Sequence, residues 1–229
     1  MERYKNNLLQ FLKKIDIKPD DISLYIQATT HKSFSNQNLS DINYEKLEFL
    51  GDSTLGFVVS SYIFKNNPKI DQGTMTRYRA SIVETKMLSN ISQKLGLVDL
   101  LRTGPGNMHV DVIASPKVQA DILEALIGAI YLDQGIDQAM FFIKKYILAE
   151  VKDKNIVNIT DLKDPKTKLQ ELFQSMTKEN ITYKTEEVMN KLFQAKAVHE
   201  KKVFGVGTGK SKKEAESNAA QDALDKFKE

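Results

Sequence analysis

The segment YEKLEFLGDS carries three acids, Glu45, Glu48 and Asp52. At 3.6 residues per turn, offsets of three and seven put all three on one stripe of a helix. A second segment, ADILEALIGAIYLD, carries Asp121 and Glu124, again three apart and on one face. Both segments are otherwise apolar: Leu47, Phe49 and Leu50 in the first, Ile122, Leu123, Ala125, Leu126 and Ile127 in the second. Neither helix is therefore a freely solvated rod. Like charges stacked on a half-buried face repel, and burial raises a carboxyl pKa unless something compensates. A hard divalent cation resolves the conflict: magnesium takes oxygen ligands, keeps several waters, and such a site activates water against a phosphodiester. Acids three apart also occur on solvent-facing helices that pair with Lys or Arg. Spacing by itself does not identify the reaction.

The elements that must position these acids are helical. Apolar residues recur at helical spacing in Leu8–Leu9–Leu12–Ile15, in Leu47–Leu50–Leu55–Val58–Val59–Ile63 and in Ile122–Leu126–Ile130. Breaks are expected at Asn66–Asn67–Pro68, at Gly104–Pro105–Gly106–Asn107 and at Gly135. After a polar stretch, Asp164–Pro165 marks a helix start, with Pro165 in the first turn, where its missing N–H costs nothing. The period then changes. Ile181–Tyr183, Phe193–Ala195–Ala197 and Val203–Phe204–Gly205–Val206 suit strands. Ser211 and Glu214 form an S-x-x-E capping box before a last helix whose Ala215, Ala219, Ala223 and Phe227 share one face. The C-terminal unit reads as α-β-β-β-α.

Lys210, Lys212 and Lys213 gather at the N-terminus of that last helix, where free N–H groups and the dipole already favour phosphate. Gly209–Lys210–Ser211 ends like a nucleotide P-loop, but that motif needs Gly at the position of Phe204.

Composition excludes more than it identifies. The 229 residues are 41% hydrophobic and 28% charged, the balance of an ordinary globular protein. There is no cysteine, which excludes disulfides and Cys-ligated zinc or iron–sulfur sites. The N-terminus lacks the apolar core of a signal peptide. The longest apolar run, Ile122–Leu132, is too short for a bilayer and contains Glu124. The expectation is a soluble, cytoplasmic protein without a membrane partner. A net charge of +3 is mild for a nucleic-acid binder, and residues 161–229 hold 14 Lys against 12 acids, so local arrangement has to carry any such argument.

On these motifs the chain resembles the ribonuclease III family. YEKLEFLGDSTLG is similar to that family's signature helix, departing mildly from its usual Asn-Glu-Arg start, and KVQADILEALIGAIYLDQG is similar to its second catalytic helix. The likeness extends from Thr30–His31–Lys32–Ser33 to the final helix. It implies a mainly α protein: an all-helical endonuclease domain (1–153), a linker (154–163) and a small α-β-β-β-α double-stranded RNA-binding domain (164–229).

The resemblance also implies roles. Glu48, Asp52, Asp121 and Glu124 match the metal-binding carboxylates, and Glu45 a further acid of the same cleft that supports them or contacts RNA. The implied cofactor is Mg2+, with Mn2+ as a substitute. The implied reaction is in-line attack of metal-activated water on phosphorus in double-stranded RNA, leaving 5′-phosphate and 3′-hydroxyl ends with a short 3′ overhang. Ribosomal RNA precursors and other structured transcripts are the expected substrates. The implied assembly is a homodimer with Phe49 at its two-fold interface, although Phe49 also reads as an ordinary core residue. In the C-terminal domain, Thr167, Gln170, Glu171 and Gln174 are expected to face the RNA minor groove and its 2′-hydroxyls, and Lys210, Lys212 and Lys213 the major-groove phosphates.

Two departures stand out. Gln72 replaces the family's usual Glu, and the stretch Val188–Met189–Asn190–Lys191–Leu192 is shorter than the usual strand–strand loop and lacks its Gly-Pro-x-His-like sequence. Both are expected to alter RNA affinity or cleavage-site choice and to leave the chemistry intact. Near Gln72, Arg77 and Arg79 read more readily as structural pairs than as phosphate ligands. The competing reading is a non-catalytic double-stranded RNA-binding protein that kept the fold; such a protein should have lost its cleft carboxylates.

Overall fold

The structure, a computed structural model, describes residues 2–38, 42–153, 164–177 and 180–227. The expected linker, 154–163, lies outside the described residues. The chain divides into two units, 1–158 and 159–229.

Among the described residues the N-terminal unit is helical. Its elements are α1 (Glu2–Lys14), α2 (Ile22–Ala28), α3 (Lys32–Gln37), α4 (Glu45–Asn66), α5 (Gln72–Ile82), α6 (Thr85–Leu95), α7 (Asn107–Ala114) and α8 (Pro116–Ile143). A π-helical turn, Lys144–Leu148, leads into α9 (Ala149–Asp153). Helix α4 begins with Glu45 and Glu48 in its first turn, where the dipole favours acids, and it ends at the expected Asn66–Asn67–Pro68 break. Its buried face, which includes Leu47, Leu55, Val58, Val59 and Ile63, packs on α8. Helix α8 starts on Ser115, whose hydroxyl accepts from the Val118 N–H, with Pro116 at the first helical position. Every residue from Gln119 to Ile130 is buried except Glu124. The break expected at Gly135 is instead a bend: the backbone there takes φ 81° and ψ −178°, and the helix resumes beyond it.

The C-terminal unit has the α-β-β-β-α order. Helix α10 (Pro165–Thr177) starts on Asp164, whose carboxylate accepts from the Lys166 N–H at 2.8 Å. Strands β1 (Thr182–Met189), β2 (Leu192–His199) and β3 (Lys202–Gly209) form an antiparallel sheet in that order, with Tyr183 opposite Ala197 and Ala197 opposite Gly205. Helix α11 (Lys212–Lys226) closes it. Leu169 and Phe173 from α10 and Ala215, Ala219, Ala220 and Ala223 from α11 cover one face of the sheet. Gly205 and Gly207 make room for α11: a methyl at either would sit 2.2 Å from an Ala219 backbone atom.

The expected loop at 188–192 is tighter than its sequence suggests. Val188, Met189 and Leu192 belong to strands, and the chain reverses over Asn190–Lys191. Lys191 takes the left-handed conformation (φ 59°), and the register shifts between Glu187 and Met189. Such a shift is the mark of a bulge beside a short turn.

Candidate metal centre and RNA-binding surface

Two glycines set the distance between the acid-bearing helices. A methyl at Gly51 would lie 1.7 Å from the Glu124 carbonyl oxygen, and one at Gly128 would lie 2.3 Å from the Leu47 carbonyl oxygen. Helices α4 and α8 therefore cross backbone to backbone. The acids beside the crossing line a shared cleft.

That cleft has a volume of about 820 Å3. Glu48, Asp121 and Glu124 each offer a carboxylate oxygen there, all within 4.8 Å of one another. Asp52 lines the same cleft outside this close triad. Glu45 sits at the rim, 3.4 Å from the Lys32 ammonium. The structure thus brings the five sequence-selected acids to one cleft and separates three as the tight group.

Burial is the main force on two of the three, Glu124 and Glu48. It pushes the Glu124 carboxyl up to about 8, with the negative charges of Asp52, Asp121 and Glu48 adding to it and Lys117 opposing. Burial also raises Glu48, reinforced chiefly by Asp121. Tyr44, at the cleft wall, has its phenol pushed up by burial and by the same acids. His31 is pushed down, first by burial and then by Lys32.

The Thr30–His31–Lys32–Ser33 motif holds the start of α4. The Tyr44 N–H donates to the Thr30 carbonyl and the His31 N–H to the Arg102 carbonyl, each at 2.9 Å. The His31 ring accepts from the Ser33 N–H at 3.1 Å and lies 5.8 Å from the Tyr44 ring. The Tyr44 carbonyl then accepts from the Glu48 N–H at 2.9 Å, so the motif is tied to the first triad acid.

Among the described residues the ammonium touching the triad is that of Lys117. It donates to the two Asp121 oxygens at 2.9 and 2.8 Å and lies 3.8 Å from Glu48. Sequence reasoning passed over Lys117, Tyr44 and His31. The signal for Lys117 was available, since it precedes Asp121 by one helical turn. The donor set fits a hard divalent cation, since the three close donors are all carboxylate oxygens.

Other selected residues lie elsewhere. Gln72 opens α5 and lines a separate depression beside Phe64 and Arg79, not the acid cleft. Arg77 donates to the Thr74 hydroxyl at 3.2 Å and Arg79 to Ser60 at 3.4 Å, the structural pairing that the sequence favoured. Phe49 is 77% exposed in the single chain, so its reading as an ordinary core residue is overturned; Phe57 and Phe64 on the same helix are 59% and 69% exposed.

In the C-terminal unit, Thr167 is half-buried while Gln170, Glu171 and Gln174 are exposed along α10. The Gln174 and Gln170 amides both donate to the Asn180 side-chain oxygen, at 2.9 and 3.5 Å. Lys210, Lys212 and Lys213 are exposed around the start of α11. The Ser211 hydroxyl accepts from the Glu214 N–H at 3.2 Å as expected of a cap. The reciprocal bond is displaced: the Glu214 carboxylate accepts from the Lys210 N–H, one residue ahead of the cap, at 2.7 Å. Lys166 is tied inward, donating to Glu216 at 2.6 Å and lying 4.7 Å from the Tyr183 ring centre.

An all-helical unit with a cleft of clustered carboxylates, followed by an α-β-β-β-α unit with a lysine-ringed helix start, is the organisation of a nuclease that carries its own RNA-binding domain. Residues 21–151 match the family model described as Ribonuclease-III-like, and residues 165–227 the one described as Double-stranded RNA binding motif. The chain is 44% identical to Ribonuclease 3 of Mycoplasmopsis synoviae over 96% of its own length and 95% of the relative's. It is 34% identical to Ribonuclease 3 of Staphylococcus epidermidis over 97% and 92%. The solved nuclease domain of ribonuclease III from Campylobacter jejuni aligns with a TM-score of 0.57 at 32% identity, covering 61% of this chain and 94% of that domain.

The chain belongs to the ribonuclease III family and is a double-stranded RNA-specific endoribonuclease. The family is metal-dependent. Among the described residues no helix is long and apolar enough to cross a membrane.

Proposed function

We propose that this chain hydrolyses double-stranded RNA at the α4–α8 cleft with Mg2+, which Mn2+ can replace, leaving 5′-phosphate and 3′-hydroxyl ends with a short 3′ overhang. The observation that carries this reading is the convergence of Glu48, Asp121 and Glu124 from two helices to within 4.8 Å. These three hold the cation, with Asp52 as the fourth acid and Glu45 at the rim toward RNA. When bound, the cation supplies charge neutralisation and water activation for attack on phosphorus. The chain's own contribution is rigidity: the glycine crossing fixes the carboxylates, and the Thr30–Ser33 segment fixes the start of α4.

The domains of this reading are 1–153 and 164–229, joined by 154–163. Thr167, Gln170, Glu171 and Gln174 face the minor groove, and Lys210, Lys212 and Lys213 the phosphates. The two-residue turn at Asn190–Lys191 leaves the second minor-groove contact weak, and Gln72 tunes affinity and site choice. The active form is a homodimer covering the Phe49, Phe57 and Phe64 face, each centre cutting one strand. Three largely exposed phenylalanines on one helix support that assembly, and the C. jejuni nuclease domain is itself described as having a region involved in dimer formation. The expected setting is the cytoplasm, with ribosomal RNA precursors and structured transcripts as substrates.

The test is cleavage of long double-stranded RNA with and without magnesium, beside Glu124→Ala. Expected are magnesium-dependent cutting by the native chain and a loss of roughly three orders of magnitude in the variant, the scale of removing a main electrostatic element. RNA binding should persist in the variant. A native chain that binds but never cuts in magnesium would sink the reading in favour of a non-catalytic RNA-binding protein.

A further inference from the structure

The acids of the cleft are partly neutralised by a cation that belongs to the chain. Lys117 lies in the first turn of α8, and its ammonium donates to both oxygens of Asp121 and lies 3.8 Å from Glu48. Its side chain is 72% exposed, while that of Asp121 is 11% exposed. The ammonium therefore reaches over the mouth of the cleft from solvent, held there by charge and not by packing.

Asp121 and Glu48 are also two of the three acids that offer oxygens within 4.8 Å. A carboxylate oxygen already engaged by a –NH3+ group is a poorer ligand for a divalent ion, because cation–cation repulsion opposes sharing it at short range. Lys117 and the metal accordingly compete for the same oxygens.

We propose that Lys117 is a tethered counter-cation of the metal site, a positioning residue that holds Asp121 and Glu48 together in the metal-free protein and leaves Asp121 when the divalent ion binds. The inference rests on the metal-site reading given under Proposed function. The arrangement solves a physical problem. Without metal, one buried and two half-buried acids held this close would, lacking any counter-charge, splay or take up protons. With a tethered ammonium the ligands stay gathered, at a cost in metal affinity. By linkage, whatever Lys117 contributes to the metal-free cleft is subtracted from metal binding.

The test uses the full chain without RNA and reads metal binding directly, by calorimetric titration with Mn2+ and by the loss of the free Mn2+ EPR signal. Native protein, Lys117→Gln, Lys117→Arg and Glu124→Gln are compared. Lys117→Gln should bind Mn2+ about tenfold more tightly than native, within the ordinary range of coupling between two sites. Its thermal unfolding temperature should fall in chelator and recover on adding Mn2+. Lys117→Arg, which keeps the charge, should bind like native. Glu124→Gln should bind more weakly than native.

Unchanged or weaker Mn2+ binding by Lys117→Gln, with native binding measurable, overturns the proposal and leaves the metal site standing. No Mn2+ binding by native and Lys117→Gln alike overturns the metal-site reading and the proposal with it. If Lys117→Gln fails to fold, equal affinity of Lys117→Arg and a Lys117→Met variant overturns the proposal, while tighter binding by Met alone supports it.

Discussion

Glu124 shows how one residue carries the electrostatic stress of the site. Its own burial first, and then the charges of Asp52, Asp121 and Glu48, push its carboxyl up to about 8, against an ordinary value of 4.5. Because the folded value lies above the unfolded one, the native state holds the extra proton across that interval. The stability it contributes is full below about 4.5 and is lost as pH rises through about 8. In chelator, urea unfolding of the native chain should therefore show a pH-dependent loss across this window that Glu124→Gln reduces, the raised Glu48 carboxyl leaving a smaller remainder. An identical slope in both proteins would show that Glu124 is not the group responsible. The acids themselves were legible in the sequence, since three-residue spacing on an apolar helix is visible without coordinates. Lys117 was legible too, one helical turn before Asp121, but was passed over; Tyr44 was not legible, because what makes it part of the site is its approach to Asp121 across the cleft.

At the scale of elements, the site is a property of one helix crossing. Gly51 and Gly128 let the α4 and α8 backbones touch, and side-chain contact alone would hold the helices farther apart. Gly51→Ala has no room to relax, because the clash is with backbone. It should cost at least about 3 kcal/mol by urea unfolding, the upper end of overpacking effects. Surviving folded protein should bind Mn2+ poorly, the triad having been pushed apart. A variant of native stability and native Mn2+ affinity would refute the crossing as the cause of the geometry. The periodicity that placed α4, α8, α10 and α11 could not show which glycines are contact points, nor that Gly135 bends a helix instead of ending it. A single-chain pattern records which face is apolar, not how near its partner comes. The strand–strand turn is shorter than its sequence suggests for a related reason: β1 is extended by pairing with β2, a long-range effect that absorbs Val188 and Met189.

For the whole molecule, bulk charge says little. A net +3 over 229 residues leaves RNA affinity to local clusters, and Lys210, Lys212 and Lys213 are the densest one the sequence offers. Positive side chains at a helix start work against the dipole, so they add nothing to the stability of α11. Lys212→Gln with Lys213→Gln should change unfolding free energy by no more than about 0.5 kcal/mol, as surface substitutions do. Double-stranded RNA binding should weaken, and the slope of log affinity against log salt should fall by about 2, one for each phosphate left without its lysine. An unchanged slope would remove these lysines from the RNA interface.

The sequence by itself determined the class of each half: helical period with striped acids, then a switch to strands closed by an alanine-faced helix. It also determined the identity of the acids and the basic helix start, because residue type and short-range spacing are local information. The tertiary structure decided what depends on distance between elements. It separated Glu48, Asp121 and Glu124 as the tight triad and put Asp52 outside it and Glu45 at the rim. It placed Gln72 in a separate depression, exposed Phe49, and set Lys117 over the cleft mouth. The triad in particular follows from how closely α4 and α8 approach, and that is fixed by packing among residues far apart in the chain.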